Sequence, residues 1–233
     1  MGLYEEQGIV LRTMRLGEAD RIITVLTQNS GKVRAVAKGV RKTKSRFGAR
    51  LEPFTHVDLL LYERRELDIV TQADIITSFR GLREDYGLFA AGETMCEATD
   101  RVSQERERNA QLFLLLLRSL RRLTEPGAEP GAVADAFLLR LTALAGFQPS
   151  LATCAECGAA DVTRFSIGQG GMVCDRCRAG GTTRVADDTI PYLAALLDDR
   201  ATGPHPEASN LVRSYLEYHI NRPLRAWVHV PRG

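Results

Sequence analysis

Four cysteines are the residues whose type and spacing most plainly invite chemistry. Cys154 and Cys157 form one Cys-x-x-Cys pair and Cys174 and Cys177 a second, with sixteen residues between the pairs. That is the ligand spacing of zinc ribbons and related sites. Each pair makes a tight turn aiming two thiolates at one point, and two such turns close a tetrahedron around Zn(II). Gly158, Gly168, Gly170 and Gly171 lie between the pairs and ease those turns. With four protein sulfurs as ligands no coordination position is left for water, so the metal is expected to be structural. Free thiols, disulfides and an iron–sulfur cluster are the alternative uses of such a set.

The second chemical feature is charge. Between Lys32 and Arg50 the sequence carries eight basic residues, Lys32, Arg34, Lys38, Arg41, Lys42, Lys44, Arg46 and Arg50, and no acidic one. On a strand with a side-chain period of two, Lys32, Arg34, Val36 and Lys38 share one face while Val33, Ala35 and Ala37 share the other. A basic strip leading into a basic loop suits phosphate contacts, whose affinity is indifferent to base sequence and falls steeply with salt. Phe47 sits among these charges, and Phe54 and Tyr62 lie on or beside the next strand. Aromatic rings there could stack bases or could equally be core. A solubilising loop, or a contact to an acidic partner, is the bland reading of the whole run. Arg118, Arg121 and Arg122 sit near a helix C-terminus, where basic side chains complement the dipole.

These residues need elements to hold them. From Glu6 to about Phe79 five β-branched, alternating segments read as strands: 7–16, 21–28, 32–40, 55–63 and 67–79. Five short strands in about 75 residues suggest a small closed barrel, OB-like foremost, although an SH3-like barrel or an open sheet fits the same periodicity. After Gly81 the period changes to 3.6. Helices are expected from Tyr86 through Cys96 and over 110–123, 132–146, 188–200 and 207–220, with a break at Thr124 to Gly131. The stripe Phe113, Leu116, Leu117, Leu120 reads as core, and the tail from Leu224 as a strand or an extended arm. The fold class is therefore α+β: an OB-fold barrel over residues 1–80, then a helical domain over 81–233 with the four-cysteine element, 154–177, embedded in it.

Bulk properties narrow the function. Residues 1–80 hold 14 basic and 10 acidic side chains and the remainder 17 and 19, so the positive excess lies in the N-terminal third. The first residues lack the pattern of a signal peptide. The most apolar run, Leu112 to Leu117, is far shorter than the ~20 residues a bilayer requires. A cytoplasmic location without membrane association is expected, and the unpaired usage of Cys96 suits a reducing compartment. No phosphate-cradling loop is present, since Gly31-Lys32 runs into Val33, and there is no dinucleotide fingerprint. His56, His205, His219 and His229 are scattered outside any nucleophile motif, and no carboxylate cluster suits a two-metal nuclease. The expectation is a binding protein rather than an enzyme.

The stretch Gly17-Glu18-Ala19-Asp20-Arg21, the strand ending Leu26-Thr27, the segment Gly31 to Gly39, and Lys44 to Gly48 followed by Leu51-Glu52-Pro53-Phe54 closely resemble the RecO family of bacterial recombination mediators. The resemblance covers essentially the whole chain, most specifically in the N-terminal block. It implies an OB-fold, a helical domain with a zinc element, and no catalytic activity. It further implies binding of single- and double-stranded DNA and annealing of complementary strands coated with single-strand-binding protein. Partnership with RecR, help in loading RecA and a nucleoid-associated location follow from it too. The family's basic segment matches Lys38, Arg41, Lys42, Lys44 and Arg46. Some members lack the cysteines, so the metal is not implied to be indispensable. A zinc-ribbon transcription or RNA-associated factor is the competing reading, to be favoured by sequence-specific or RNA-selective binding.

Overall fold

The computed structural model describes residues 2–42, 45, 47–198, 200 and 203–231. Five strands, β1 (Leu3–Leu16), β2 (Asp20–Thr27), β3 (Gly31–Ala37), β4 (His56–Tyr62) and β5 (Asp68–Thr77), close into a barrel in the order β1-β2-β3-β5-β4. All neighbours are antiparallel except β3 and β5. This is the OB topology. β1 reaches further toward the N-terminus than its periodicity indicates because Leu3 to Ile9 pair with β4 while Gly8 to Leu16 pair with β2. At the crossing, a Cβ on Gly8 would stand 2.4 Å from Val25 Cγ1, so the close approach requires glycine.

Alternation fills the barrel. Val10, Ile23, Val25, Val33, Ala35, Val57, Leu59, Leu61 and Val70 point inward, and on β3 the inner residues are buried while Lys32, Arg34 and Val36 are half-buried on the outside. The run Ile9-Val10-Leu11 is buried throughout because that strand is covered on both faces. Val10 belongs to the barrel interior, whereas Ile9 and Leu11 join Leu26, Phe54 and the helices in a second core. A short 3-10 turn, Gly48–Leu51, follows β3 and carries Phe47 and Leu51 into the barrel.

Five helices build the rest: α1 (Tyr86–Val102), α2 (Ala110–Leu123), α3 (Pro130–Leu144), α4 (Thr189–Leu197) and α5 (Pro206–Ile220). Asp85 and Asn109 cap α1 and α2 by accepting the amide hydrogens of Leu88 and Leu112. Pro130 and Pro206 each open a helix, where a missing N–H costs nothing. α3 is apolar nearly all round and is accordingly central, packed by α1, α2, α4 and α5. α4 ends at Leu197, short of the expected 200, with Asp198 as its cap. The tail forms neither strand nor arm: Ala226–His229 is a 3-10 turn whose Trp227 is 2 % exposed and takes the Arg213 guanidinium at 4.3 Å from its ring centre. No helix among the described residues is long and apolar enough to cross a membrane.

Candidate metal centre and nucleic-acid interface

The cysteine element is built by two short strands that the sequence pattern does not disclose, β6 (Arg164–Ser166) and β7 (Gly171–Val173). Gly171 adopts φ +139°, and a Cβ there would meet the Ser150 carbonyl oxygen at 2.3 Å, so the strand can lie against the preceding chain only as glycine. One knuckle is closed by Gly158 N–H donating to the Cys154 carbonyl, the other by Cys177 N–H and Arg178 N–H donating to the Cys174 carbonyl. Gln169 ties the element together by donating to the Cys177 carbonyl and accepting from Ala179 N–H. Phe165 and Met172 then seat it on Tyr215 of α5.

The result brings Cys154, Cys157, Cys174 and Cys177 together, with all four Sγ atoms within 4.8 Å of one another. Cys157 and Cys174 sulfurs are 3.8 Å apart, far outside the ~2.05 Å of a disulfide. It is the edge of a tetrahedron with metal–sulfur bonds of ~2.3 Å. The protons of this set are in conflict. Amide hydrogen bonds from Cys174 and Cys157 lower the Cys154 thiol to about 6, while its sulfur neighbours Cys157 and Cys174 push Cys177 up to about 12. A dication resolves that conflict by favouring the thiolate at every position. The donor set fits a metal ion held by four sulfurs.

The basic segment divides in two. Lys32 and Arg34, expected on a basic strip, face the last turns of α1 and its connection to α2. Lys32 Nζ donates to the Asp100 carbonyl oxygen at 2.6 Å and pairs with its carboxylate at 3.1 Å, and Arg34 lies 3.6 Å from Glu105. Arg12 donates to the same Asp100 at 2.7 Å. Burial alone would raise the Asp100 carboxyl, but Arg12 and Lys32 hold it below the usual carboxylate range. Gly31 and Lys32 are overlaid by residues 105–107: Arg106 N–H donates to the Lys32 carbonyl, and a Cβ on Gly31 would strike Glu107. Arg106 reaches the buried Asp68 and the Tyr4 hydroxyl. The beginning of β3 thus docks the barrel on the helices.

The far end of β3 is open. Lys38, Arg41 and Lys42 are exposed. The expected contacts Lys44 and Arg46 lie outside the described residues. Phe47 does not belong to this surface: at 1 % exposure its ring is in the barrel core with Leu51, where bases cannot reach it. The 3-10 turn provides the reason, since a barrel end needs an apolar plug and Phe47 is the ring next to it. Phe54 is likewise buried, edge-on to Phe89 of α1. Sequence reasoning passed over Arg15 and Arg21, opposite one another on the β1–β2 hairpin; Arg15 is exposed, whereas Arg21 donates to Glu52 at 2.9 Å. Their signal was present in the strand register, which becomes readable only once the hairpin is seen to pair at Leu16 and Asp20.

A closed OB barrel with a basic end, joined to a helix bundle bearing a four-thiol centre, defines an OB-fold protein with a helical, metal-element-bearing C-terminal half. Two family models match the chain, "Recombination protein O N terminal" over residues 1–79 and "Recombination protein O C terminal" over 83–227. The chain is 48% identical to the DNA repair protein RecO of a Nocardioides species, over 99% of this chain and all of that protein. It is 45% identical to the DNA repair protein RecO of Thermobifida fusca and 46% to that of Frankia casuarinae, each over the full length of both chains. The chain belongs to the RecO family.

Proposed function

We propose that the protein is a DNA-repair recombination mediator that binds single- and double-stranded DNA and anneals complementary strands coated with single-strand-binding protein. It works with RecR to assist RecA loading, in the cytoplasm at the nucleoid, and makes or breaks no covalent bond. The observation that carries this reading is the open basic end of the barrel, where Lys38, Arg41 and Lys42 stand exposed. Cationic side chains there screen two phosphate backbones from each other long enough for bases to pair. Lys32 and Arg34 contribute by docking the domains rather than by direct contact. The four sulfurs hold Zn(II) as a structural ion, because a closed set of thiolates leaves no place for substrate.

Protein partners find a separate surface. A groove of about 1120 Å³ runs between α2, α3 and α4, lined by Leu114, Leu144 and Leu197 and by four arginines, Arg118, Arg121, Arg122 and Arg140, against two glutamates, Glu125 and Glu129. It suits an acidic segment with apolar side chains, and single-strand-binding protein or RecR is the proposed source.

The test is the annealing rate of complementary oligonucleotides coated with single-strand-binding protein, with and without this protein, at two salt concentrations and without ATP. Salt-sensitive acceleration is expected. Replacing Lys42, Lys44 and Arg46 with alanine should slow it and flatten the salt slope of single-strand binding by about two units, at roughly 0.7 for each phosphate no longer neutralised. No acceleration by folded, metal-loaded protein would refute the mediator reading.

A further inference from the structure

The basic loop is tied to the β1–β2 hairpin by a clasp that includes an acidic residue. Asp20, the first residue of β2, accepts the Gly39 N–H on its Oδ1 at 2.7 Å. Gly39 turns the chain out of β3 with φ +67°. Two residues on, Arg41 N–H donates to the Ala19 carbonyl at 3.0 Å, and Arg41 Nη1 donates to the Glu18 carbonyl at 2.8 Å and the Gly17 carbonyl at 3.4 Å. Lys42 N–H closes the turn onto the Gly39 carbonyl at 3.1 Å. Every tether from the hairpin to Gly39 and Arg41 thus falls between Lys38 and Lys42, the exposed cations at either end of the turn.

A carboxylate beside a phosphate-binding surface is ordinarily a liability, since it repels the ligand and removing it should tighten binding. Asp20 is placed to do the opposite. Its Oδ1 fixes the amide of Gly39, a residue with unusual conformational freedom, and so holds the cations on either side at a set spacing. We infer that Asp20 is a positioning residue for DNA binding, acting through the Gly39 amide and the Arg41 turn without touching DNA. The inference rests on the proposed DNA-binding role of this loop.

Three variants separate geometry from charge in a fluorescence titration of a labelled single-stranded oligonucleotide, run across a salt series with a thermal melt of each protein. Asp20→Asn keeps a carbonyl acceptor for Gly39 and removes the charge. Asp20→Glu keeps the charge and displaces the acceptor by a methylene. Lys38→Ala combined with Lys42→Ala tests the loop itself. The expected result is near-parental affinity for Asp20→Asn and a loss of about fivefold to tenfold for Asp20→Glu, with a salt slope flattened by the share of a single phosphate, roughly 0.7. Tighter binding by Asp20→Asn with parental binding by Asp20→Glu would show that Asp20 acts only as a charge and would overturn the inference while leaving the loop's role intact, provided the double lysine variant binds weakly. Parental binding by the double lysine variant would instead overturn the loop's role and the inference with it. Lys38 and Lys42 are exposed in the turn and Asp20 is half-buried at the start of β2, and matched melts confirm that the comparison is between folded proteins.

Discussion

The Lys32 ammonium lies within hydrogen-bonding distance of both the carbonyl and the carboxylate of Asp100, joining the start of β3 to the last turns of α1. A lysine that belongs by sequence to a basic strip is therefore a domain joint, with its side chain only 12% exposed. Lys32→Ala should lower stability by about 1–3 kcal/mol, the cost of leaving a partly buried charged group short of its donor. Arg12 remains to pair with Asp100, which places the expected value toward the lower end. The salt slope of DNA binding should not change. A chemical-denaturation curve and a salt titration on the same variant check both halves.

Arg106 makes a second joint. Asp68 is fully buried, and its carboxylate accepts from the Tyr4 hydroxyl, the Arg64 amide and the Arg106 guanidinium. Burial pushes the Tyr4 hydroxyl pKa up, so it remains a donor throughout the usable pH range. Arg106→Ala strands a buried carboxylate with two neutral donors. A loss of about 2 kcal/mol is expected, below the 3–5 kcal/mol of a fully buried pair because Arg106 is itself partly solvated. Arg106 also has φ +63°, so Arg106→Gly, which relieves the backbone, should cost less than Arg106→Ala. Paired thermal melts of the two variants decide this.

Why these joints escaped the sequence is a matter of distance. The alternation on β3 shows which side chains face outward, and that face is as expected. What covers the face is another matter: Asp100 is 68 residues from Lys32, and no local pattern relates them. Phe47 illustrates a different limit, because one aromatic ring among cations carries no periodicity to distinguish a plug from a stacking platform. The cysteines were legible because their spacing encodes two turns and their chemistry needs little else. The strands between them, three residues each, are too short for a period to register. The tail failed for the opposite reason, since Leu224, Ala226, Val228 and Val230 alternate as in a strand while Trp227 is buried in the helical core beside Arg213 of α5.

The proposed zinc site makes a quantitative demand. Purified protein should release one zinc ion per chain on thiol modification, and Cys154→Ser with Cys174→Ser should abolish it. Because the element rests on α5 through Phe165, Met172 and Tyr215, its loss should loosen the helical half before the barrel. Hydrogen exchange on the double variant should then show α5 amides losing protection while β1 to β5 keep theirs. Unchanged protection in α5, or a parent protein free of zinc, would remove the ion from the structural account.

Acid should weaken the junction between barrel and helices through His56. The ring is 4% exposed, edge-on to Phe113 of α2, and neither nitrogen has a hydrogen-bond partner among the described residues. Burial lowers its pKa, and the nearby Arg121 lowers it further against a smaller opposing effect of Asp58. A depressed folded-state pKa means that the unfolded chain binds the proton first. The neutral ring's contribution is therefore fully present above the unfolded value of 6.5 and is lost as pH falls below it toward the folded value. His219, lowered by burial between Phe147 and Tyr215, acts in the same direction. His56→Phe keeps an aromatic ring against Phe113 and removes the titration. Denaturation curves between about pH 7.5 and 5.5 should fall less steeply with acid for His56→Phe than for the parent, leaving the share due to His219 and to the protonation of the cysteines. Parallel curves for the two proteins would exclude His56 as the acid-sensitive group at the junction.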